Sequence, residues 1–250
     1  MRSRKSRLMT HVSTNCVADN VVLPLCANPL HCPGLCLVPE SGSAFFKRVI
    51  AYELERSGME MTFDEKCKFG RLPWHWLASH RVVRIVRHPV ERMLSAYLNQ
   101  KHTKWASGYS FSHHANFTEV VTTITRLPDA HVHLSFRRQT AMCKVETGDV
   151  ATRVLRLEEY AHWRLRLAKK LHWPLLLSLV PRNRIGVDVM ATFYTPDLLH
   201  RVETWAANDM KVFGYTSMFD CFDAEWKRRR SWETSIVTEI EDMLSDDTTT

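Results

Sequence analysis

The sequence predicts an α/β fold in which a parallel central sheet is flanked by helices. Two observations support this fold class. In 35–48 and again in 82–97, a short apolar run reaches a proline and continues as an amphipathic helical pattern. A third apolar run, 154–157, is also followed by a helical pattern. Strands that alternate with helices along a chain form parallel sheets, and the helices cover the faces of those sheets.

Size and charge set the broad class of the protein. A chain of 250 residues can bury a sizeable core, and 45% hydrophobic with 24% charged residues is ordinary for a soluble globular protein. The formal net charge of +7 favours an anionic ligand, substrate or surface. We find no zinc-finger spacing and no dense Lys/Arg tract with interleaved aromatics, so we expect no nucleic-acid partner.

The sequence also predicts no membrane span, because no stretch approaches the roughly 20 apolar residues that a spanning helix needs. The basic start, 2–7, is not followed by the apolar core of a signal peptide. Among the seven cysteines, Cys32 and Cys36 lie near His31, but no second pair of ligands follows at zinc-finger spacing. We therefore predict no metal site.

The first part of the chain divides into an arm and the start of a domain. Residues 1–30 lack hydrophobic periodicity and are expected to form an irregular N-terminal arm. The domain proper is expected over 31–222, and its first strand over 35–38, where a continuous apolar run is typical of a strand buried on both faces. The helix after it has an apolar face formed by Phe45, Phe46, Val49, Ile50 and Leu54.

The second strand is predicted over 82–86, and a helix follows from Pro89. Its apolar residues recur at i, i+3, i+4, i+7 and i+8, namely Val90, Met93, Leu94, Tyr97 and Leu98. Proline is favourable in the first turn of a helix, where its missing N–H has no partner to lose. Residues 100–116 are polar and predict a surface loop that contains Asn116, the acceptor of a possible glycosylation sequon.

The second half of the chain predicts further helices and one more strand. We expect helices over 118–126, 158–170 and 196–210, with a third strand over 154–157. Leu198, Leu199, Val202 and Trp205 form the apolar face of the helix at 196–210. The remainder, 223–250, predicts a basic turn at 227–230, an amphipathic helix around 236–244 and an acidic tail.

The two strand-to-helix corners have the chemistry of an anion site. Unpaired backbone N–H groups and the helix dipole converge where a strand leads into a helix, and they favour a bound anion. Gly42 allows close approach of the backbone, and Ser43 offers both an N–H and a hydroxyl. Arg87, at the end of the second strand, is placed to bind a phosphate with two N–H groups. Two such corners predict a ligand with two phosphate-like ends.

The residues at these corners resemble those of a known family, the Golgi carbohydrate sulfotransferases that include the HNK-1 and chondroitin/dermatan 4-O-sulfotransferases. The family's 5′-phosphosulfate loop usually reads Pro-Lys-x-Gly-Ser/Cys-Thr-x-Trp-Lys-Arg, and this chain keeps Pro39, Gly42, Ser43, Lys47 and Arg48. Its 3′-phosphate segment usually reads Arg-Asp-Pro-x-x-Arg-x-x-Ser-Ala-Tyr, and this chain keeps Arg87, Pro89, Arg92, Ser95, Ala96 and Tyr97.

Weaker similarities follow in the same order, at Asp129 to His131, at 155–159 and at 209–215. The resemblance implies a P-loop NTPase-like sulfotransferase fold that binds 3′-phosphoadenosine 5′-phosphosulfate (PAPS) and needs no metal. It implies a glycan acceptor and a place in the Golgi lumen, although no signal or anchor is visible in this chain.

The resemblance also implies roles for individual residues. Arg87 and Ser95 would hold the 3′-phosphate. Gly42, Ser43, Lys47 and Arg48 would hold the 5′ end of the nucleotide, with Lys47 also acting on the leaving group. His131 would take the proton of the acceptor hydroxyl as a general base, because an imidazole titrates near neutrality, and His133 is the alternative.

One departure from the family bears on activity. The family's lysine after the loop proline is Glu40 here, and a carboxylate facing a phosphosulfate repels it. Loss of one key charge donor typically costs on the order of 10²–10³ in rate. The main alternatives are an active carbohydrate sulfotransferase, a catalytically weak or inactive relative that binds nucleotide or glycan, and a small-molecule kinase. A nucleic-acid binder is a further alternative that rests on the net charge alone. The kinase is disfavoured because the chain lacks a Gly-Lys-Ser/Thr phosphate loop.

Overall fold

The protein has an α/β fold that is mostly helical. The computed structural model describes residues 22–24, 34–56, 82–102, 111, 115–142, 144–145, 148–149, 151–171, 173–178 and 185–229. Most of the predicted N-terminal arm lies outside these ranges, as do the predicted C-terminal helix around 236–244 and the acidic tail.

A four-stranded sheet forms the centre of the described chain. Its strands are β1 (Val22–Pro24), β2 (Gly34–Leu37), β3 (Val82–Val86) and β6 (Ala151–Arg156), in the order β1-β2-β3-β6. The pairs β2–β3 and β3–β6 are parallel, which confirms the predicted parallel centre, whereas β1 pairs with β2 in antiparallel orientation. The prediction of an irregular arm is wrong at 22–24, because these residues pair with the edge of β2. A separate short hairpin joins β4 (Lys144–Val145) to β5 (Gly148–Asp149).

The helices follow the predicted pattern, with altered ends. They are α1 (Ser43–Arg56), α2 (Pro89–His102), α3 (Phe117–Ile124), α4 (Tyr160–Leu171), α5 (Leu175–Ser178), α6 (Val187–Phe193), α7 (Pro196–Trp205), α8 (Ala207–Phe213) and α9 over 219–229. Asn116 caps α3 in a capping box with Glu119. The single helix predicted over 196–210 is wrong, because the chain turns at Ala206 (φ −92°, ψ 15°) and α8 then buries Asp209 and Phe213.

Two hydrophobic clusters hold these elements together. The first covers one face of the sheet, where Ile85 of β3 and Leu155 of β6 pack with Phe46 of α1 and Trp163 of α4. The second lies among helices α2, α3, α6 and α7, and its fully buried members include Leu94, Val120, Val121, Ile124, Leu199, Val202 and Phe222. The predicted apolar faces of α2 and α7 are confirmed by this burial.

The end of the described chain differs from its prediction. Lys227 and Arg228 lie in α9 instead of a basic turn. Phe222 is buried in the helical cluster, and the Trp226 ring lies 5.4 Å from the Phe222 ring. Helix α9 is therefore continuous across the expected domain boundary at 222. None of the helices in the described part of the chain is long and apolar enough to cross a membrane.

Candidate functional site

The two strand-to-helix corners lie side by side at one edge of the sheet. Leu37, the last residue of β2, is in register with Ile85 of β3, so the carboxyl ends of both strands reach the same edge. The chain passes from β2 to α1 through 38–42 and from β3 to α2 through Arg87 and His88. The corners are in direct contact, because Nη1 of Arg87 donates to the backbone oxygen of Glu40 at 3.2 Å.

The first corner is a tight turn that requires glycine at one position. Gly42 has φ +80°, and a Cβ there would lie 3.1 Å from Cδ1 of Leu157. Glu40 also has positive φ, +62°, which is uncommon for a residue with a side chain. The backbone N–H of Ser41 donates to the oxygen of Val38 at 3.2 Å and closes the turn. This backbone decides where the Glu40 side chain points.

Arg87 is buried at the second corner, with 2% of its side chain exposed. Its Nη2 donates to Oε1 of Glu91 at 2.7 Å, one helical turn further along α2. Because Nη1 binds the Glu40 backbone, the guanidinium bridges the two corners, and it also pairs with a carboxylate of the helix that follows. A ligand phosphate that binds Arg87 must therefore share the guanidinium with these two protein acceptors or replace one of them.

Ser95 faces the first corner from helix α2. Its Oγ donates to Oε2 of Glu40 at 3.4 Å, and Nδ2 of Asn99 donates to Oε1 of Glu40 at 2.9 Å. The family resemblance implies that Arg87 and Ser95 share one anion, and the structure brings both against the same residue. The anion at the Ser95 hydroxyl is the carboxylate of Glu40 itself.

Arg92 links the first corner to the segment before the 3₁₀ turn Gln139–Ala141. Its guanidinium donates to the backbone oxygens of Pro39 (2.9 Å), Arg137 (2.8 Å) and Leu134 (3.0 Å). Burial lowers the pKa of Arg92 to about 10, and the positive charge of Arg87 lowers it further. The negative charges of Asp209, Glu40 and Asp129 act in the opposite direction. Arg92 belongs to the motif, which does not by itself indicate a role for it. Its role in the structure is to hold three loop carbonyls.

Gln139 belongs to the candidate site although it lies outside both motif segments. It is fully buried. Its Nε2 donates to the oxygen of Arg87 at 2.7 Å, while its Oε1 accepts from the Arg87 N–H at 3.0 Å and from the Ser41 hydroxyl at 3.1 Å. One amide thus joins both corners. A lone glutamine in a polar segment carries no sequence signal for such a role.

Asp209 of α8 fixes the turn that carries Gln139. Its carboxylate accepts from the N–H of Gln139 at 2.7 Å and from the N–H and hydroxyl of Thr140 at 2.8 and 2.7 Å. Asp209 is 1% exposed. The weak similarity at 209–215 was the signal that pointed to this region. The network therefore runs from α8 through Gln139 to both corners.

The other predicted 5′-end residues lie on α1. Ser43 is the first residue of the helix and is partly buried, whereas Arg48 is exposed to solvent. Lys47 lies in the same helix, and its side chain lies outside what the structure describes. The N-terminus of α1 thus follows the tight turn at Gly42, as the sequence predicts.

The two candidate bases differ in environment. His131 is exposed and lies in the 3₁₀ turn Asp129–His131. His133 is partly buried, and burial together with Arg137 lowers its pKa. Both precede Gln139 in the segment whose carbonyls bind Arg92. The carboxylate of Asp129 accepts from N–H and Nε of Arg138 at 3.2 and 2.9 Å, which ties the turn to the residue before Gln139.

A third group of polar side chains follows strand β6. Oε1 of Glu158 accepts from the N–H of His88 at 2.6 Å, and Oε2 accepts from the Tyr215 hydroxyl at 3.1 Å. Burial and the negative charge of Glu158 raise the pKa of Tyr215. Nδ1 of His88 accepts from the N–H of Val90, so its Nε2 is the nitrogen that donates to the oxygen of Thr216. Glu158 thus connects β6 to the second corner.

Within the described ranges, no group of three or more His, Cys, Asp or Glu side chains is arranged to hold a metal ion. No protein-family model matches the chain, and no curated protein or solved structure shows significant similarity to it.

Proposed function

We propose that this protein is a PAPS-dependent carbohydrate sulfotransferase, with a P-loop NTPase-like sulfotransferase architecture around its parallel strands. The contact between the two corners carries the proposal: Arg87 reaches the Glu40 backbone at 3.2 Å, and Gln139 binds both Arg87 and Ser41. Ligands of open parallel sheets bind at the carboxyl ends of the strands, which is where these corners meet. A nucleotide with phosphates at two ends fits two adjacent anion sites.

In this proposal each corner holds one end of the donor. Arg87 and Ser95 bind the 3′-phosphate, with Arg87 exchanging a protein acceptor for phosphate oxygen. Gly42, Ser43, Lys47 and Arg48 bind the 5′ end, where the N-terminus of α1 also favours negative charge. Positioning and charge stabilisation do most of the work in a transfer of this kind.

The reaction moves one group and one proton. A new bond forms between the sulfur and the acceptor oxygen, and the bond between sulfur and the phosphate oxygen breaks. The phosphate keeps the electron pair of that bond, and its negative charge is stabilised by the cations at the first corner. His131, or in its place His133, takes the proton of the acceptor hydroxyl. No step requires a metal.

The acceptor in this proposal is a glycan, and the compartment is the Golgi lumen. Cys36 of β2 is disulfide-bonded, which supports an oxidising compartment of this kind. Asn116 of the sequon is exposed, although its side chain caps α3. The proposal includes no nucleic-acid partner.

Calorimetry with adenosine 3′,5′-bisphosphate tests the nucleotide site. We expect saturable binding that Arg87→Ala abolishes and that Arg126→Ala, a change at an exposed arginine, leaves unaltered. Absence of binding to the unaltered chain would refute the proposal. A transfer screen with donor-labelled sulfate over a panel of glycans then tests the reaction and identifies the acceptor.

A second candidate function is a relative that binds nucleotide or glycan with little or no turnover. The carboxylate of Glu40 favours this second function, because it stands where the family has a lysine and it accepts hydrogen bonds from Ser95 and Asn99. Assays of Glu40→Lys against the unaltered chain discriminate the two candidates. A large gain in sulfate transfer would favour the second candidate, and comparable activity in both proteins would reject it.

A further inference from the structure

The Glu40 carboxylate is bound in the way that a ligand anion would be. Both of its oxygens accept hydrogen bonds from helix α2, Oε2 from Ser95 at 3.4 Å and Oε1 from Asn99 at 2.9 Å. Its own backbone oxygen accepts from Arg87 at 3.2 Å. The residue holds this position with φ +62°, a conformation that is unfavourable for a residue with a side chain.

The protein supplies charges of both signs around this carboxylate. Arg87 and Arg92 are buried cations at the corners, and the carboxylates of Glu91, Asp209 and Glu40 act on them. Glu91 pairs directly with Arg87 at 2.7 Å, and the attraction of Glu40 raises the pKa of Arg92 against the effect of burial. A phosphate placed beside Ser95 with Glu40 unmoved would meet a like charge at short range, which is strongly unfavourable.

We propose that Glu40 is an internal occupant of the phosphate site, and that a ligand phosphate binds Ser95 and Asn99 only after displacing its carboxylate. The inference rests on the proposed function, because that function assigns Ser95 to the 3′-phosphate. Asn99 is not part of the motif. In this proposal it becomes a second phosphate-binding side chain. Affinity for the ligand is then set by competition between its phosphate and the Glu40 side chain.

The test compares Glu40→Gln with the unaltered chain, using inorganic phosphate and adenosine 3′,5′-bisphosphate as probes in calorimetry. Glutamine keeps the length of the side chain and removes its charge. We expect Glu40→Gln to tighten binding of both probes by about tenfold or more, because the repulsion between like charges is removed. Glu159→Gln, which removes an exposed carboxylate after β6, controls for net charge and should leave both affinities unchanged.

A second variant guards against misfolding. Glu40→Asn removes the charge, and asparagine tolerates positive φ better than most residues, so it keeps the turn. Glu40→Asn should bind both probes more tightly than the unaltered chain, as Glu40→Gln does. Adding Asn99→Ala to either variant should reverse most of this gain in affinity.

The outcomes separate the two proposals. Tighter phosphate binding without any bisphosphate binding would support Glu40 as the occupant and reject the nucleotide function. Unchanged affinities for both probes in folded Glu40→Gln and Glu40→Asn would overturn the inference, whether or not the nucleotide binds.

Discussion

Replacement of Gln139 by alanine should lower the free energy of unfolding by about 3–5 kcal/mol. The Gln139 side chain is fully buried and makes three hydrogen bonds, two to the backbone of Arg87 and one to the hydroxyl of Ser41. Alanine leaves the N–H and the carbonyl of Arg87 and the Ser41 hydroxyl without this partner. The loss falls on both strand-to-helix corners at once.

The magnitude follows from the cost of an unpaired buried group. Each buried donor or acceptor left unsatisfied costs about 1–3 kcal/mol, so three groups set an upper range of about 3–9 kcal/mol. Water entering the space and rotation of the Ser41 hydroxyl reduce that cost, which leads to the lower value above. Because native domains are stable by only about 5–15 kcal/mol, the variant should be visibly less stable.

Urea unfolding followed by circular dichroism measures this change, with Ser41→Ala as the matched control. Ser41→Ala removes only the hydroxyl bond and leaves the amide of Gln139 paired with Arg87, so it should cost about 1 kcal/mol. The urea dependence of the unfolding free energy should be the same in all three proteins. If Gln139→Ala costs no more than Ser41→Ala, the corners are not held by this amide and the reasoning is refuted.

Three further changes have expected outcomes in the same urea measurement. Arg92→Lys should cost about 2–4 kcal/mol, because an ammonium cannot bind three separated carbonyls as the guanidinium does, and a cost near zero would contradict this role. Gly42→Ala should cost about 1–3 kcal/mol, because φ is +80° there and a Cβ would lie 3.1 Å from Leu157; a cost near zero would refute the strain argument. Burial raises the pKa of Tyr160 to about 12, so its contribution is fully present below pH 10 and is lost as the pH rises toward 12. Over that interval Tyr160→Phe should lose stability less steeply than the unaltered chain, by up to about 1.4 kcal/mol per pH unit, and equal slopes would contradict the assignment.

Local patterns were sufficient to predict the elements that surround the site. The apolar residues of α2 recur at helical spacing, and Val90, Met93, Leu94 and Tyr97 are all buried. The prolines and Gly42 lie where strands end and helices begin, so both corners could be predicted from the sequence. Local patterns did not predict the turn at Ala206 or strand β1, because both depend on contacts with remote parts of the chain.

The family resemblance implied that Arg87 and Ser95 would act together, since both stand in one short motif. It predicted that Glu40 matters, because the residue departs from that motif. The motif did not indicate the orientation of Glu40, which depends on a backbone with positive φ and on donors from α2, more than 50 residues further along the chain.

The α/β class, the two strand-to-helix corners and the residue types at each follow from local patterns in the sequence. Hydrophobic periodicity, proline and glycine act within a few residues, so these features can be predicted. The folded chain was needed to show that Gln139 joins Ser41 to Arg87, 98 and 52 residues away, and that a carboxylate of the protein lies at the Ser95 hydroxyl. Hydrogen bonds between polar residues this far apart depend on how the chain packs, and they leave no periodic pattern in the sequence.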